Sequence, residues 1–111
     1  MQIRRGDVWW IDFSSSKPLG GEIKKMRPAV IVSNDESNQA MNRVQVIPLT
    51  SQIEKCYPCE AYVKIDGKQS KAMADQIMTI SKSRLSKRMG KIHLSDLGDV
   101  ERAIKIQLDL E

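Results

Sequence analysis

The sequence predicts a mainly β domain of the α+β class: a small barrel of five to seven short strands followed by a long C-terminal helix. Three observations lead to this prediction. The chain has 111 residues, which is enough for one domain and too short for two, so we expect residues 1–111 to form a single domain. The strand-like segments are short and closely spaced, as they are in small barrels. A clear helical spacing of apolar residues occurs in the last segment.

The first three predicted strands are rich in apolar residues. Residues 8–13 combine aromatic and β-branched side chains, which favour strands. Residues 29–33 form an apolar run that predicts a strand buried on both faces. Pro28 fits the first position of this strand because proline cannot donate to a strand ladder. Residues 44–50 form the third strand, in which Pro48 indicates a sheet edge, a bulge or a strand end.

Two connections separate these strands. Residues 14–26 lack clear periodicity, and connections of this length are often functional. Residues 34–38 are turn-like and can form a short helical turn, with Asn34 or Asp35 as the helix cap.

The elements that follow are shorter. Residues 61–65 alternate and end at Asp66-Gly67, which is typical of a β-hairpin turn. Residues 71–80 are predicted to form another strand or a pair of strands. Residues 81–89 are polar and basic and can form one helical turn, and residues 90–93 are predicted to form a final short strand or a connector.

Ser95 or Asp96 is predicted to cap the closing helix, which is predicted to run to about Leu110. Its apolar positions follow helical spacing: Leu94, Leu97, Val100, Ala103 or Ile104, and Leu108. This apolar side is expected to cover an open side of the barrel.

Composition and charge restrict the class of protein. Hydrophobic residues make up 41% of the chain and charged residues 29%, as in ordinary globular domains. No apolar run is long enough to span a bilayer, and the N-terminus lacks the apolar segment of a secretory signal, so we expect a cytoplasmic protein without a membrane contact. Lysine and arginine number 18 against 14 acidic residues, and the net charge of +4 weakly favours a polyanionic partner.

Cysteine and histidine give little sign of chemistry. Cys56 and Cys59 form a C-x-x-C pair, which can be redox-active, half of a zinc site or incidental. A zinc site needs four ligands, and the only histidine, His93, is far along the chain and precedes the predicted helix. We therefore favour reduced thiols without a special role, and expect neither a metal nor another cofactor.

The more specific signal comes from four segments in a fixed order. They are Gly6-Asp7 with the strand to residue 13, the stretch Glu22-x4-Arg27-Pro28 with its apolar run, residues 46–51, and residues 74–80 with Asp-Gln-Ile. Together, over essentially the whole chain, these segments resemble the MazF/PemK family, the ribonuclease toxins of bacterial toxin–antitoxin pairs.

The resemblance implies a fold, an activity and partners. The fold is an SH3-like barrel with a long C-terminal helix, and the assembly is a homodimer. The activity is metal-independent cleavage of single-stranded RNA, which can be mRNA, tRNA or rRNA. The 2′-hydroxyl attacks the adjacent phosphate and leaves a 2′,3′-cyclic phosphate and a 5′-hydroxyl. The second partner is a cognate acidic antitoxin that blocks the RNA groove.

The resemblance also assigns residues. The catalytic pair falls on Arg27 and Thr50: a guanidinium suits two phosphate oxygens, and a hydroxyl can donate to a third. The RNA-binding residues are expected to be Glu22, Lys24, Lys25, Ser51, Asp75 and Gln76. Asp75 or Glu22 could act as the base. Some relatives carry an arginine at the position of Met73, and its absence here puts more weight on Arg27.

Several alternatives remain open from the sequence. A gyrase-binding toxin of the CcdB type depends on a Trp-Gly-Ile terminus, whereas this chain ends in Leu110-Glu111. A barrel that binds RNA or peptide without chemistry would explain the absence of an obvious acid–base pair. Trp9 and Trp10 are adjacent on a strand and must face opposite ways, so we expect one in the core and the other at a dimer contact or in an RNA groove.

Overall fold

The computed structural model of the protein describes residues 2–14 and 26–111. Its elements, in chain order, are β1 (Asp7–Asp12), β2 (Met26–Ile31), α1 (Asp35–Ala40), β3 (Arg43–Thr50), β4 (Glu60–Ile65), β5 (Lys68–Met73), β6 (Met78–Ser81), β7 (Leu85–Lys91) and α2 (Leu94–Gln107). Two 3-10 turns, Ala74–Gln76 and Lys82–Arg84, flank β6. Positions 15–25 of the predicted connection at 14–26 lie outside the described residues.

The strands form one curled antiparallel sheet in the order β4-β5-β3-β2-β1-β7. The central strand, β3, pairs with β2 along one edge. Along its other edge it pairs first with β6, at Arg43 to Val46, and then with β5, at Leu49 and Thr50. Because two different strands follow each other along one edge of β3, the sheet bends there into a half-barrel. This observation confirms the predicted mainly β fold with a closing helix.

Alternating side chains of the sheet fill two apolar clusters. Val30 and Leu49 point to the side that α2 covers, with Val100 from the helix, whereas Ala29 and Val46 point to the opposite side. Both faces of β2 are therefore buried, as its apolar run predicts. Each fully buried aliphatic side chain of this kind contributes about 1.5–3 kcal/mol relative to an exposed one.

The closing helix protects an edge of the sheet as well as a face. Among the strands of the described residues, β4 is the last on its side, so its outward backbone groups have no strand partner among them. The carboxylate of Asp96, in the first turn of α2, accepts a hydrogen bond from the Lys64 backbone N–H at 3.0 Å. The helix thus packs on β4 and also satisfies part of its edge.

Two local predictions are confirmed in detail. Ile65 pairs with Lys68, and Asp66 and Gly67 between them have φ values of 53° and 74°, which is the two-residue hairpin turn that Asp-Gly favours. The short helical turn is α1, where the Asn34 side chain accepts the Ser37 backbone N–H at 2.8 Å.

The prediction for Pro28 is wrong by two positions. β2 begins at Met26, so Pro28 is its third residue and pairs with Trp10. Pro48 lies in the central strand, two residues before its end, in the interval where neither β6 nor β5 pairs with that edge. A missing N–H is tolerated at such a gap because no ladder hydrogen bond is lost there.

Three further boundaries differ from the predictions. Residues 74–76 form a 3-10 turn and interrupt the predicted strand at 71–80. In the segment 81–89 only Lys82–Arg84 is helical. Ser81 ends β6, and residues 85–89 belong to β7, which extends to Lys91. α2 starts earlier than predicted, at Leu94, after His93 as a cap without a side-chain hydrogen bond.

Only some of the apolar residues that follow the helical spacing of α2 are buried. Leu97, Val100 and Ala103 are buried, as their spacing predicts. Leu94 and Leu108, which share this spacing, are exposed because they lie at the two ends of the helix, beyond the sheet. Within the described residues, no helix is long and apolar enough to cross a membrane.

Candidate functional site

The strand register brings the two predicted catalytic residues together. β2 and β3 are antiparallel, with Ala29 opposite Pro48 and Val30 opposite Ile47. Extending this register by two residues places Arg27 opposite Thr50. Both side chains lie on the same face of the sheet because positions two apart on a strand share a face. Arg27 and Thr50, which are 23 positions apart in the sequence, thus lie just past the end of this ladder, each two residues beyond the Ala29–Pro48 pair.

Arg27 and Thr50 line one cleft, with a volume of about 450 Å³. Ser51, predicted to bind RNA, lies beside them. Pro28 and Leu49, the apolar residues next to them along the two strands, also line the cleft. A cleft of this size accommodates a small ligand or one unit of a polymer, and its mixed lining suits a substrate with both flat apolar and charged parts.

The polar groups of the pair have unused hydrogen-bonding capacity. Arg27 is half-buried, and its guanidinium makes no hydrogen bond or ion pair with another residue of the described ranges 2–14 and 26–111. The Thr50 hydroxyl accepts the Gln52 backbone N–H at 3.2 Å, so its own proton remains available to a ligand. Together these groups can donate to several oxygens of an anion.

The two tryptophans separate as predicted. Trp9 is buried in the cluster on the side away from α2, whereas Trp10 is 37% exposed and lines the cleft. Trp10 therefore offers an aromatic face at the site that contains Arg27. Trp9 keeps its indole N–H without a partner, the one buried side-chain nitrogen or oxygen in the described part of the chain for which this is so.

The hairpin turn between β4 and β5 is a part of the site that the sequence did not reveal. Asp66 and Lys68 line the cleft together with Ser70. The Asp-Gly pair indicated a turn, but nothing local indicated that this turn would lie beside Arg27. The close approach of β7 fixes its position: a Cβ on Gly90 would lie 2.9 Å from the Ile65 Cδ1 atom, just before the turn.

Other predicted RNA-binding residues are not brought to this cleft. Asp75 and Gln76 are exposed on the 3-10 turn that packs near α2, and neither lines the cleft. The strand predicted to carry them begins only at Met78, which corrects that part of the prediction. Glu22, Lys24 and Lys25 lie outside the described residues.

A row of polar side chains continues from Thr50 across the sheet. Thr50 pairs with Lys71 on β5, and Lys71 pairs with Tyr62 on β4, so the three side chains share a face. The Lys71 ammonium lies 3.1 Å from the Glu60 carboxylate and donates to the Lys55 carbonyl at 2.7 Å.

The charge state of Lys71 follows from these neighbours. Burial acts to lower its pKa, but the hydrogen bond and charge of Glu60, with smaller effects of Cys56 and Tyr62, raise that pKa above its ordinary value of 10.5. Lys71 is therefore charged at neutral pH although it is buried. Sequence reasoning missed this residue because a lysine on a strand is usually solvent-exposed.

The cysteines form no site in this structure. Cys56 is exposed, Cys59 is half-buried, and both are free thiols. In the part of the chain that the structure describes, no group of three or more histidine, cysteine or acidic side chains is placed to hold a metal ion.

Comparison with known proteins identifies the family. A family model described as PemK-like, MazF-like toxin of type II toxin–antitoxin system matches residues 4–108. The chain belongs to the PemK/MazF family. Among the relatives is endoribonuclease MazF9 of Mycobacterium tuberculosis. It is 36% identical over 117 residues, with 97% of this chain and 98% of the relative covered. Endoribonuclease EndoA of Bacillus subtilis is 33% identical over 118 residues, with 99% and 97% covered.

Solved structures of MazF-type proteins share the fold. An endoribonuclease from a mycobacterial species has a TM-score of 0.82 at 22% identity and covers 99% of this chain and 94% of its own. A mycobacterial endoribonuclease in complex with its cognate antitoxin has a TM-score of 0.80 at 24% identity, with 98% and 97% covered. MazF of Deinococcus radiodurans has a TM-score of 0.80 at 22% identity, with 99% of each chain covered. The predicted MazF/PemK resemblance and barrel fold are both confirmed.

Proposed function

We propose that this PemK/MazF-family chain is a cytoplasmic endoribonuclease toxin that cleaves single-stranded RNA without a metal ion. The observation that carries the proposal is the meeting of Arg27 and Thr50 in one cleft, with donors on both side chains that no residue of the described ranges 2–14 and 26–111 uses. Two relatives that match nearly the whole chain are endoribonucleases, which supports the same activity. mRNA is the expected main substrate, with tRNA and rRNA as further candidates.

The geometry suits internal attack by a 2′-hydroxyl. This reaction needs a base for the 2′-hydroxyl proton, stabilisation of the crowded phosphorane, and a proton for the leaving 5′-oxygen. The Arg27 guanidinium can donate to two non-bridging phosphate oxygens, and the Thr50 hydroxyl can donate to another oxygen. A carboxylate takes the proton of the 2′-hydroxyl, the new bond joins O2′ to phosphorus, the bond to O5′ breaks, and the leaving O5′ takes up a proton from water. The products are a 2′,3′-cyclic phosphate and a 5′-hydroxyl.

The base in this proposal is a carboxylate. Asp66 lies in the wall of the cleft, which the sequence did not reveal, and Glu22 stands five residues before Arg27 in the chain. Asp75 is less suited to this role within one protomer because it does not line the cleft. Asparagine or glutamine variants of the three acids separate these roles, since only loss of the base should remove the acidic limb of the pH–rate profile.

A cleavage assay in excess EDTA tests the proposal. The protein is incubated with a long single-stranded RNA, and both ends at each cut are mapped. We expect cleavage with 2′,3′-cyclic phosphate and 5′-hydroxyl ends. Arg27→Ala, purified in the same way, controls for contaminating ribonucleases. Cleavage that needs added Mg²⁺, or equal cleavage by Arg27→Ala, would contradict the proposal.

We further propose that the toxin acts as a homodimer and is neutralised by an acidic antitoxin. A homodimer has twice the net charge of +4, which favours both RNA and an acidic polypeptide. A structural neighbour was solved in complex with its cognate antitoxin, which supports this kind of partner. Light scattering during size-exclusion chromatography tests the dimer, and titration of the RNase activity with the co-purified antitoxin tests the inhibition.

A further inference from the structure

The segment between β3 and β4 presents an aromatic ring to solvent. Tyr57 is 56% exposed, although its backbone is fixed at both polar groups. Its N–H donates to the Glu60 carboxylate at 3.0 Å, and its carbonyl accepts the Glu60 N–H at 2.8 Å. A single exposed aromatic side chain is ordinary. Tyr57 differs from such a case because its ring is exposed while both polar groups of its backbone are hydrogen-bonded, on a segment that is neither helix nor strand.

The group that fixes Tyr57 is itself held by a buried ion pair. The Glu60 and Lys71 side chains are 11% and 10% exposed, and their charged atoms are 3.1 Å apart. The same lysine donates to the Lys55 carbonyl at 2.7 Å. A buried ion pair stabilises a fold weakly because both charges lose hydration. Its effect here is geometric: one ammonium on β5 holds the Lys55 carbonyl of the segment and also Glu60, the first residue of β4, which binds the Tyr57 N–H.

The same segment has two more attachments to the row of side chains that begins at the cleft. The Tyr62 hydroxyl donates to the Ile53 carbonyl at 2.8 Å, and the Thr50 hydroxyl accepts the Gln52 N–H at 3.2 Å. Residues 52–57 are therefore attached to three adjacent strands, one of which carries the proposed catalytic threonine.

The row of side chains that starts at Thr50 leads from the cleft toward this segment. Adjacent strands are about 4.8 Å apart, so β4 lies roughly 10 Å from β3, with β5 between them. RNA with its scissile phosphate at Arg27 and Thr50 would place a flanking base near this segment. A base stacks on an aromatic ring irrespective of its identity, and a ring with a fixed backbone loses less freedom when it does so.

We propose that Tyr57 is a base-stacking residue for single-stranded RNA and that the Lys71–Glu60 pair is the positioning device that presents its ring. The inference rests on the proposed function, because it takes RNA as the ligand. Lys71 acts through Tyr57 and not on the phosphate, since its ammonium is already bound to Glu60 and to the Lys55 carbonyl.

The test is a binding experiment that does not depend on cleavage. A fluorescent single-stranded RNA with 2′-fluoro riboses cannot undergo 2′-hydroxyl attack, and its Kd is measured by anisotropy. Tyr57→Ala should weaken binding by about 5- to 150-fold, the range for loss of one stacked base. Tyr57→Phe keeps the ring and should stay within about twofold of the wild type.

A double-mutant cycle tests the role of Lys71. Lys71→Met should weaken binding in the same way as Tyr57→Ala, and the double variant should bind no worse than Tyr57→Ala alone, because both changes remove one contact. A general loss of folded protein would not give this non-additivity. Lys105→Met removes the same charge from the exposed face of α2 and serves as the control. If circular dichroism shows Lys71→Met unfolded, Glu60→Gln replaces it in the cycle.

The outcomes separate this inference from the proposed function. Wild-type affinity in Tyr57→Ala would overturn the stacking role, and additive effects of the two substitutions would overturn the positioning role. A wild-type protein that leaves natural RNA intact, yet binds the 2′-fluoro RNA through Tyr57, would overturn the proposed function and support this inference. Cleaving wild-type protein with no effect at Tyr57 would overturn this inference alone.

Discussion

Arg27 is half-buried, and its guanidinium has no partner among residues 2–14 and 26–111, so none of those residues competes with an anionic ligand for its N–H donors. We expect Arg27→Ala to lower kcat by about 10²–10³-fold or more, as loss of one charge-stabilising donor group does. Arg27→Lys should restore little activity because an ammonium cannot donate to two oxygens as a fork. Single-turnover cleavage of a defined RNA measures the effect. A thermal melt of each variant verifies the fold, and near wild-type turnover would show that Arg27 is not the phosphate clamp.

Thr50 differs from Arg27 in that its hydroxyl also accepts a backbone N–H, from Gln52. We expect Thr50→Val, which keeps the shape and removes the hydroxyl, to lower kcat more than it raises KM, because the donor acts on charge that develops in the transition state. Thr50→Ser retains the hydroxyl and is the matched control. Equal losses in kcat and in affinity would instead assign Thr50 to binding or folding.

Asp35 connects α1 to the N-terminal segment and makes stability depend on pH. The Arg5 N–H donates to its carboxylate at 2.7 Å, and this hydrogen bond, which outweighs desolvation, lowers the pKa of Asp35 below 3.8. A carboxyl group with a lowered pKa stabilises the fold above its unfolded pKa, and this stabilisation is lost as the pH falls through the folded value.

Asp35→Asn should therefore lower Tm at neutral pH, and its difference from the wild type should shrink as the pH falls below 3.8. Differential scanning calorimetry over an acid pH series measures this. Glu36→Gln removes a neighbouring charge from the same helical turn and is the control. A Tm difference that persists unchanged at the acid end would contradict the assignment.

Single residues of the candidate site could be predicted from the sequence where the residues next to them in the chain form a recognisable pattern. Arg27 stands before Pro28 in a family pattern, and Thr50 ends an apolar strand. Asp66 and Lys71 could not be found in this way. The place of Asp66 in the cleft depends on how the barrel curls, and the burial of Lys71 depends on Glu60, eleven positions away and on another strand.

The β4–β5 hairpin forms one wall of the cleft, and its position depends on its packing against β7. A Cβ on Gly90 would lie 2.9 Å from the Ile65 Cδ1 atom, and the φ of Gly90 is 157°. We expect Gly90→Ala to destabilise the protein by about 1–3 kcal/mol, because Ile65 must shift in a packed core. Urea unfolding measures this, and Ile65→Val in the same chain should recover part of the loss.

Gly98 supplies a contrasting control in another element. It lies in α2, and a Cβ added there would have nothing within 4 Å, so Gly98→Ala should stabilise the helix by about 0.5–1 kcal/mol. If both alanine substitutions changed stability in the same direction, close packing at Gly90 would not be the cause of its effect.

Strands and turns were predicted correctly where the pattern of apolar side chains indicates the same element that the strand pairing forms. The apolar strands β2 and β3 are buried on both faces, and the Asp-Gly turn specifies its hairpin locally. β7 was missed because its sequence, Leu85–Lys91, is mostly polar and it is held by its register with β1. The 3-10 turn at 74–76 was missed because it has the same apolar spacing as a short strand.

The whole molecule has a modest positive charge for its size. If three basic side chains of the dimer contact phosphates, affinity for single-stranded RNA should fall about 20-fold between about 50 and 200 mM salt, with a slope of about −0.7 per contact. KM measured over a salt series tests this, with kcat expected to change little. A KM that does not respond to salt would show that the net charge of +4 takes no part in RNA binding.

The shared central strand has a consequence for the lifetime of the active state. β3 exchanges hydrogen bonds with three strands, so its amides can meet solvent only when a large part of the sheet opens. We expect hydrogen–deuterium exchange to be slowest there. Thr50 is the last residue of that strand and pairs with Lys71, so we expect it to stay in place as long as the pairing of β3 with β5 is closed. A partner that covers the cleft would then block it without unfolding any part of the sheet.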